Sequence, residues 1–331
     1  MDNKYERASF DAGELFSGRA TGTKIQGFAQ PTPYTPAIDS TYVFHESARD
    51  VVVWLLMDNP EPLYLYGPTG SGKSSLVRQL AARLNYPVFE CNGHERMEVQ
   101  DLIGHLSVIN GSMQFEDGPL TMAMRLGGMF MLDELDLCSP ATLAGLNTIL
   151  DGAPLCILEN GGELVKPAPG FRFVATANTS GAGDDTGRYQ GTLRQNLAFL
   201  DRFMVCEAAY PSQDVETSLL TTKFPSLPRD LCAKMVSYAG DIRRLFVGDV
   251  QPGDDQAFHN GCEVTLSTRT LLRWADLTVR FQPLAQQGIS PLMYALDRAL
   301  GFRASRETRA MLHELAQRIF GITQPTDTNG E

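Results

Sequence analysis

A lysine and a serine that follow a glycine-rich turn are the residues of this chain best suited to holding a phosphate. Gly67, Gly72, Lys73 and Ser74 complete the spacing G-x-x-x-x-G-K-[ST] of a P-loop; Pro68, Thr69, Gly70 and Ser71 fill the interval and Ser75 follows. Glycines let the backbone wrap an anion without side-chain clash. Amides at the start of the next helix point at that anion, and the helix dipole favours its charge. The spacing directs the Lys73 ammonium to the β- and γ-phosphates of a nucleotide and the Ser74 hydroxyl to Mg²⁺. Asp133-Glu134 ends the apolar run Met129-Phe130-Met131-Leu132. There an aspartate can hold the metal's hydration shell, and the adjacent glutamate can polarise a water for attack on the γ-phosphate.

Other polar residues gather meaning from position. Asn178 closes the next expected strand, and its amide could orient the same water if that strand lies beside the P-loop strand. Arg202, in Leu200-Asp201-Arg202-Phe203, reads alone as a surface salt bridge. Arg269 and Arg273 lie one turn apart on an expected helix, so both can face one site and sense a triphosphate's charge. Asp136 is read as solvated or as a cap of the next helix, and Asp184-Asp185 as a flexible acidic turn. The five histidines share no spacing and receive no chemistry.

The elements that position these residues are legible in outline. An apolar strand at 63–66 precedes the P-loop, and a helix follows to about 84. Pro87-Val88-Phe89-Glu90-Cys91 is a second strand. Residues 106–115 alternate around Asn110-Gly111, a hairpin signal. It interrupts a helix that resumes from Pro119 to Leu126 and closes at Gly127-Gly128. Ser139-Pro140 starts a helix with Leu143, Leu146, Ile149 and Leu150 on one face. Residues 155–165 alternate around Gly161-Gly162, a second hairpin. Residues 171–178 form another strand, and a helix over 193–200 leads into a last one at 203–206. Beyond Tyr210-Pro211 the pattern is helical, with helices at 212–223, 228–247, 267–281, 290–301 and 305–320, the last three capped by Ser267, Ser290 and Ser305, and a loop at 248–262. The result is an α/β fold, a parallel sheet flanked by helices with hairpin inserts, followed by an all-helical lid domain. The expected division is an extended segment over 1–40, a nucleotide-binding domain over 41–210, the lid over 211–322 and a disordered tail over 323–331.

Composition narrows the function classes. With 43% hydrophobic and 20% charged residues in 331, the chain is ordinary globular material of two-domain size. A net charge of −11 argues against a general binder of nucleic-acid backbones. The six cysteines are scattered without C-x-x-C or zinc spacing, as in a reducing compartment. No apolar signal core or bilayer-length run appears, which predicts a cytoplasmic protein without membrane association.

The order of parts resembles an AAA+ ATPase: P-loop, interrupted helix, Asp-Glu strand, second hairpin, strand-end Asn, Asp-Arg-Phe and helical lid. The two hairpins look like those of the MoxR branch. Within it the chain is similar to the ATPase subunit of aerobic cobaltochelatase (CobS-like). That likeness rests on Ala175-Thr176-Ala177-Asn178-Thr179, on Gly-Ala-Gly-Asp-Asp-Thr-Gly-Arg-Tyr-Gln-Gly-Thr at 181–192, and on Asp201-Arg202. Residues 88–102 and the lead-in to Tyr42-Val43-Phe44 are similar as well. Pro68-Thr69-Gly70-Ser71 looks like the wider MoxR group, with the CbbQ/NorQ group close by. The resemblance spans about residues 14–322.

It implies a ring, a hexamer, with ATP between subunits. Lys73 and Ser74 bind phosphate and Mg²⁺, Asp133 and Glu134 are the Walker B pair, and Asn178 is sensor 1. Arg202 is the arginine finger reaching a neighbour, and Arg269 is sensor 2, acting in cis. A partner carrying a von Willebrand factor A domain and a client enzyme are implied, for metal insertion or activation; residues 94–99 and the hairpin at Asn110-Gly111 are candidate client loops. Two other classes stand beside this one. The net charge weighs against a nucleic-acid-associated P-loop motor. Asp133-Glu134 followed by Asn178 and a long lid weighs against a small-molecule kinase.

Overall fold

The computed structural model describes residues 6–184, 189, 191–247 and 262–321. It divides into two compact units, Met1–Ala209 and Tyr210–Glu331. The first begins with β1 (Arg7–Asp11), α1 (Ala12–Ser17), β2 (Lys24–Phe28) and α2 (Ala48–Leu56). The strand β3 (Leu63–Tyr66) then enters the P-loop, from which α3 (Lys73–Arg83) departs, and β4 (Val88–Asn92) follows. A short helix α4 (Val99–Ile103), a hairpin of β5 (Gly104–Ile109) and β6 (Ser112–Asp117), and α5 (Pro119–Leu126) lead to β7 (Met129–Asp133). Next come α6 (Pro140–Ala144), α7 (Asn147–Leu150), a second hairpin of β8 (Leu155–Ile157) and β9 (Glu163–Val165), then β10 (Arg172–Ala177), α8 (Leu197–Leu200) and β11 (Met204–Glu207).

Five strands form one parallel sheet in the order β11-β3-β10-β7-β4. Its central strands are largely apolar because helices cover both faces. Successive residues serve opposite sides. Tyr64, Phe130, Leu132, Phe173 and Ala175 pack with Leu120, Ala123 and Met124 of α5. Leu63, Leu65, Met129, Met131 and Val174 pack with Trp54 of α2 and with Leu76 and Leu80 of α3. Both hairpins are pinned to the end of α5. The Arg125 guanidinium bonds Asp117 at 2.7 and 3.3 Å and Glu163 at 2.6 and 2.8 Å. The hydrogen bonds from Arg125, joined by one from Asn160, hold the Glu163 carboxyl down at about 2.

Three local expectations change. Residues 1–40 are not simply extended, because β1 and β2 pair antiparallel and bury Ile25 and Phe28 in the core beside Trp54. The Asp11 carboxylate closes this unit, accepting amide hydrogens from Glu14, Thr21 and Gly22 at 3.0, 3.0 and 2.7 Å. The Gly and Thr residues there make turns, not disorder. The remainder does run along its neighbours: Val88 donates its amide to the Tyr34 carbonyl, and Gln79 brackets Ala37 and Asp39. The helix from Ser139 is broken at Gly145, where any Cβ would press Val99 at 2.8 Å. The helix over 193–200 shrinks to four residues, since the Leu193 and Gln195 amides are spent on Asp136 and Gly181 carbonyls and Asn196 supplies the cap.

The second unit holds α9 (Gln213–Lys223), α10 (Arg229–Val247), α11 (Thr268–Arg280), α12 (Pro291–Ala299) and α13 (Arg306–Phe320). Ser267, Ser290 and Ser305 cap the last three by accepting from Thr270, Met293 and Thr308 amides. Most of the loop expected over 248–262, the tail, and Asp185 lie outside the described residues. Trp274 and Tyr238 centre the core, their polar tips bonded to the Leu292 and Leu312 carbonyls at 3.0 and 2.8 Å. Glu216, 1% exposed, joins three helices: both oxygens take Arg243 of α10 at 2.8 Å, and Thr268 of α11 donates at 2.6 Å. This places Arg269, the next residue. Glu216→Ala would strand the Arg243 charge, so urea unfolding should report a loss of about 3–5 kcal/mol.

Candidate active site

Because the five strands run one way, their carboxyl ends share one edge, and β3, β10 and β7 are neighbours there. β3 delivers the glycine turn, β7 delivers Asp133 and Glu134, and β10 delivers Asn178. Gly67 has φ +154°, and a Cβ on it would lie 2.2 Å from the Ala208 carbonyl oxygen, so only glycine fits. Gly72, at φ +97°, turns the chain into α3. Among the turn residues Thr69 and Ser75 face solvent, whereas the Ser71 hydroxyl is buried without a partner among the described residues.

Lys73 folds back over the loop. Its ammonium donates to the Gly67 and Pro68 carbonyls at 2.8 and 3.0 Å and to Asn178 Oδ1 at 3.1 Å. The loop lysine and the strand-end asparagine therefore meet directly. The Ser74 hydroxyl lies 2.8 and 2.9 Å from the two Asp133 oxygens, one hydroxyl against one carboxylate. Glu134 follows in the left-handed region at φ 59°, ψ 43°, a conformation rare for glutamate. Its amide bonds Thr176 Oγ1 at 3.3 Å, and Gly93 leaves no room beside its carbonyl, where a Cβ would come within 2.4 Å. Strain held in place by its surroundings is a mark of functional sites.

Arg202 stands elsewhere. It precedes β11, whose Met204 is level with Leu63 and Glu207 with Tyr66, so it sits at the edge opposite the P-loop. Its guanidinium bonds both oxygens of Asp151, at 2.8 and 3.1 Å. Arg269 and Arg273 lie on the exposed side of α11 in the second unit.

Two families match in tandem: the AAA domain of the dynein-related subfamily over residues 62–203, and the CbbQ/NirQ/NorQ C-terminal domain over residues 216–319. The aerobic cobaltochelatase subunit CobS of Sinorhizobium sp is 28% identical over 319 residues, 93% of this chain and 90% of that protein. Protein NorQ of Paracoccus denitrificans is 29% identical over 300 residues, 90% of this chain and 98% of its own length. An uncharacterized protein of Staphylococcus saprophyticus is 30% identical over 195 residues, 57% of this chain and 71% of its own. The chain is an AAA+ ATPase of the MoxR type. It is an ATP-hydrolysing enzyme near CobS, CbbQ and NorQ. Among its described residues no helix is long and apolar enough to cross a membrane.

Two residues that hold this cluster together went unassigned in the sequence. Thr176 is 1% exposed, donates to Asp133 Oδ1 and accepts the Glu134 amide, so it orients both acids. The available signal was a lone hydroxyl inside the apolar strand Phe173-Val174-Ala175-Thr176-Ala177. Asp136 is neither solvated nor a helix cap. It is fully buried, and its Oδ2 accepts from the Asn178 amide, the Thr179 amide and the Thr179 hydroxyl at 2.9, 3.0 and 3.1 Å. Burial raises its pKa, and those hydrogen bonds oppose the rise. Nearby, Tyr64 donates its hydroxyl to the Thr179 carbonyl at 2.9 Å, and burial likewise raises its pKa.

Proposed function

We propose that this chain is a ring-forming, hexameric ATPase that couples ATP hydrolysis to remodelling or activation of a partner protein complex. The observation that carries it is the separation of its polar residues between two edges of one sheet. Lys73, Ser74, Asp133 and Asn178 are joined by hydrogen bonds at the carboxyl edge. Arg202 lies at the other, four paired residues away, a span of about 13 Å. An arginine so placed faces away from its own P-loop and serves a neighbour's triphosphate. Its pair with Asp151 is half-exposed, and such pairs contribute about 0–1 kcal/mol, so ring closure can exchange one anion for the other.

In this reading the turn amides of residues 67–74 and Lys73 hold the ATP phosphates. Ser74 and Asp133 hold Mg²⁺; one hydroxyl and one carboxylate suit a cation that takes few protein oxygens and fills its shell with phosphate and water. When bound, that ion neutralises charge on the phosphate oxygens. Glu134 polarises the attacking water, Asn178 orients it, and Arg269 contacts the γ-phosphate from the lid of its own subunit. Residues 41–210 carry the nucleotide and 211–322 form the lid. The partner carries a von Willebrand factor A domain, and the client is an enzyme of the cytoplasm. CobS is by name a subunit of a cobaltochelatase, so metal insertion is one activity such a client would have.

Lys73→Ala should weaken binding of a fluorescent ATP analogue by at least about 10²-fold. Glu134→Gln should leave that affinity intact and lower phosphate release by about 10²–10³-fold, since the amide cannot assist water. Equal loss of binding in both would refute the separate roles.

Arg202→Ala should lower turnover by about 10³-fold while ATP affinity stays within about threefold. Mass photometry of the Glu134→Gln protein should show a closed ring with ATP and Mg²⁺. A monomer at every concentration, with per-subunit hydrolysis unchanged on dilution, would overturn the ring.

A further inference from the structure

Among the described residues, the bonds from the Asp136 side chain to other residues fall on one loop. The three donors to Oδ2 come from two consecutive residues, Asn178 and Thr179. Oδ1 is buried and has no partner among the described residues. A buried carboxylate is costly to leave unpaired, so the loop cannot shift away without stranding that charge. The hold is asymmetric, with nothing on the far oxygen to take over. Other bonds close the same loop: Tyr64 from below at the Thr179 carbonyl, and Gly181, which donates to Thr179 Oγ1 at 3.4 Å.

The backbone of Asp136 holds a second segment. Its carbonyl accepts the Leu193 amide at 2.7 Å, and Gln195 donates its amide to the Gly181 carbonyl at 2.9 Å. Two residues later α8 begins, and it ends just before Arg202. One buried residue, two positions after Glu134, thus fastens the loop that presents Asn178 and the arm that leads to Arg202.

We infer that Asp136 is a positioning residue that fixes Asn178 against Lys73 and ties the Asn178 loop to the arm bearing Arg202. The inference rests on the ATPase reading above. It works because the amide of Asn178 is held from behind by the carboxylate, while its side-chain oxygen meets Lys73 in front at 3.1 Å. Without Asp136 the loop is free to drift, and a displacement of about 1 Å at a reacting centre costs about 10²-fold in rate.

Steady-state hydrolysis and ATP-analogue titration on the full chain test this. Asp136→Ala should lower kcat by about 10²-fold with nucleotide affinity within about threefold. Asp136→Asn keeps an acceptor for the same three donors and should recover most of the rate. The double variant Asp136→Ala/Asn178→Ala should be no slower than the slower single variant, because both losses act through one side chain. Hydrogen exchange should show the Asn178 and Thr179 amides protected in the parent and exchanging faster in Asp136→Ala, while the Leu193 amide, held by the backbone carbonyl of residue 136, stays protected in both. Should Asp136→Ala fail to fold, Thr179→Val removes one donor and leaves the charge in place; kcat should then fall by about fivefold. Multiplying losses in the double variant, an unchanged kcat in a folded Asp136→Ala or Thr179→Val, or unchanged protection of the Asn178 and Thr179 amides in Asp136→Ala would overturn the inference. If the parent neither binds nor hydrolyses ATP, the ATPase reading fails instead.

Discussion

The phosphate edge depends on the parallel register of β3, β10 and β7. Ala175 is level with Leu132, and Val174 with Leu63, which sets Thr176 against Asp133 and brings Asn178 beyond the end of β3. Side chains alternate across a sheet, so a slip of one residue would turn Thr176 into the core and present an alanine to the two acids. Such a slip is opposed on both faces at once. Phe173 and Val174 are buried in different clusters, and exchanging their faces would misfit Phe130 on one side and Met131 on the other. The apolar core thereby sets positions of polar atoms to within a hydrogen bond's tolerance.

How much of this was legible depends on how local the determinant is. The P-loop could be read because glycines, lysine and serine act within eight residues of backbone. The serine caps of α11, α12 and α13 could be read for the same reason, each reaching an amide three residues on. Asp133 and Glu134 were legible because an apolar strand ending in acids is itself a local pattern. Asp136 was not, since its partners lie more than forty residues away and nothing at its own position distinguishes a buried acceptor from a solvated acid. Thr176 is similar: a threonine suits a strand by shape alone, and its hydroxyl acquires meaning only beside β7. The arm at 193–196 misled because its apolar spacing suits a helix while its amides are taken by distant carbonyls. The antiparallel pair near the N-terminus was hidden by turn-rich composition, which marks tight connections as readily as disorder.

Separation of the cations between opposite edges of the sheet has a physical consequence. Lys73 meets neutral oxygens of its own loop and Asn178, whereas Arg202 meets a carboxylate near solvent. The first is fixed at the start of the eleven-residue helix α3, the second by a four-residue helix capped by Asn196. A short helix with one side-chain cap is a compliant mount, and a surface ion pair is a weak latch. The lysine is thus held by the carbonyls of its own loop, while the arginine is held by an ion pair near solvent.

The net charge of −11 does not conflict with binding a polyanion at this site. A nucleic-acid backbone is recognised over many phosphates, so the whole surface takes part and a negative chain repels it. In the proposed function a triphosphate lies within a few ångströms of the loop, inside the screening length of about 8 Å at physiological salt. There the field belongs to the amides of the turn, the start of α3 and the Lys73 ammonium. The acids placed closest, Asp133 and Glu134, are offset when a cation sits between carboxylate and phosphate. Distant acids such as Glu163 are already committed to guanidinium partners of their own. The same surplus of negative charge that discourages nonspecific polyanion binding elsewhere leaves the glycine turn as the place where a phosphate chain is favoured.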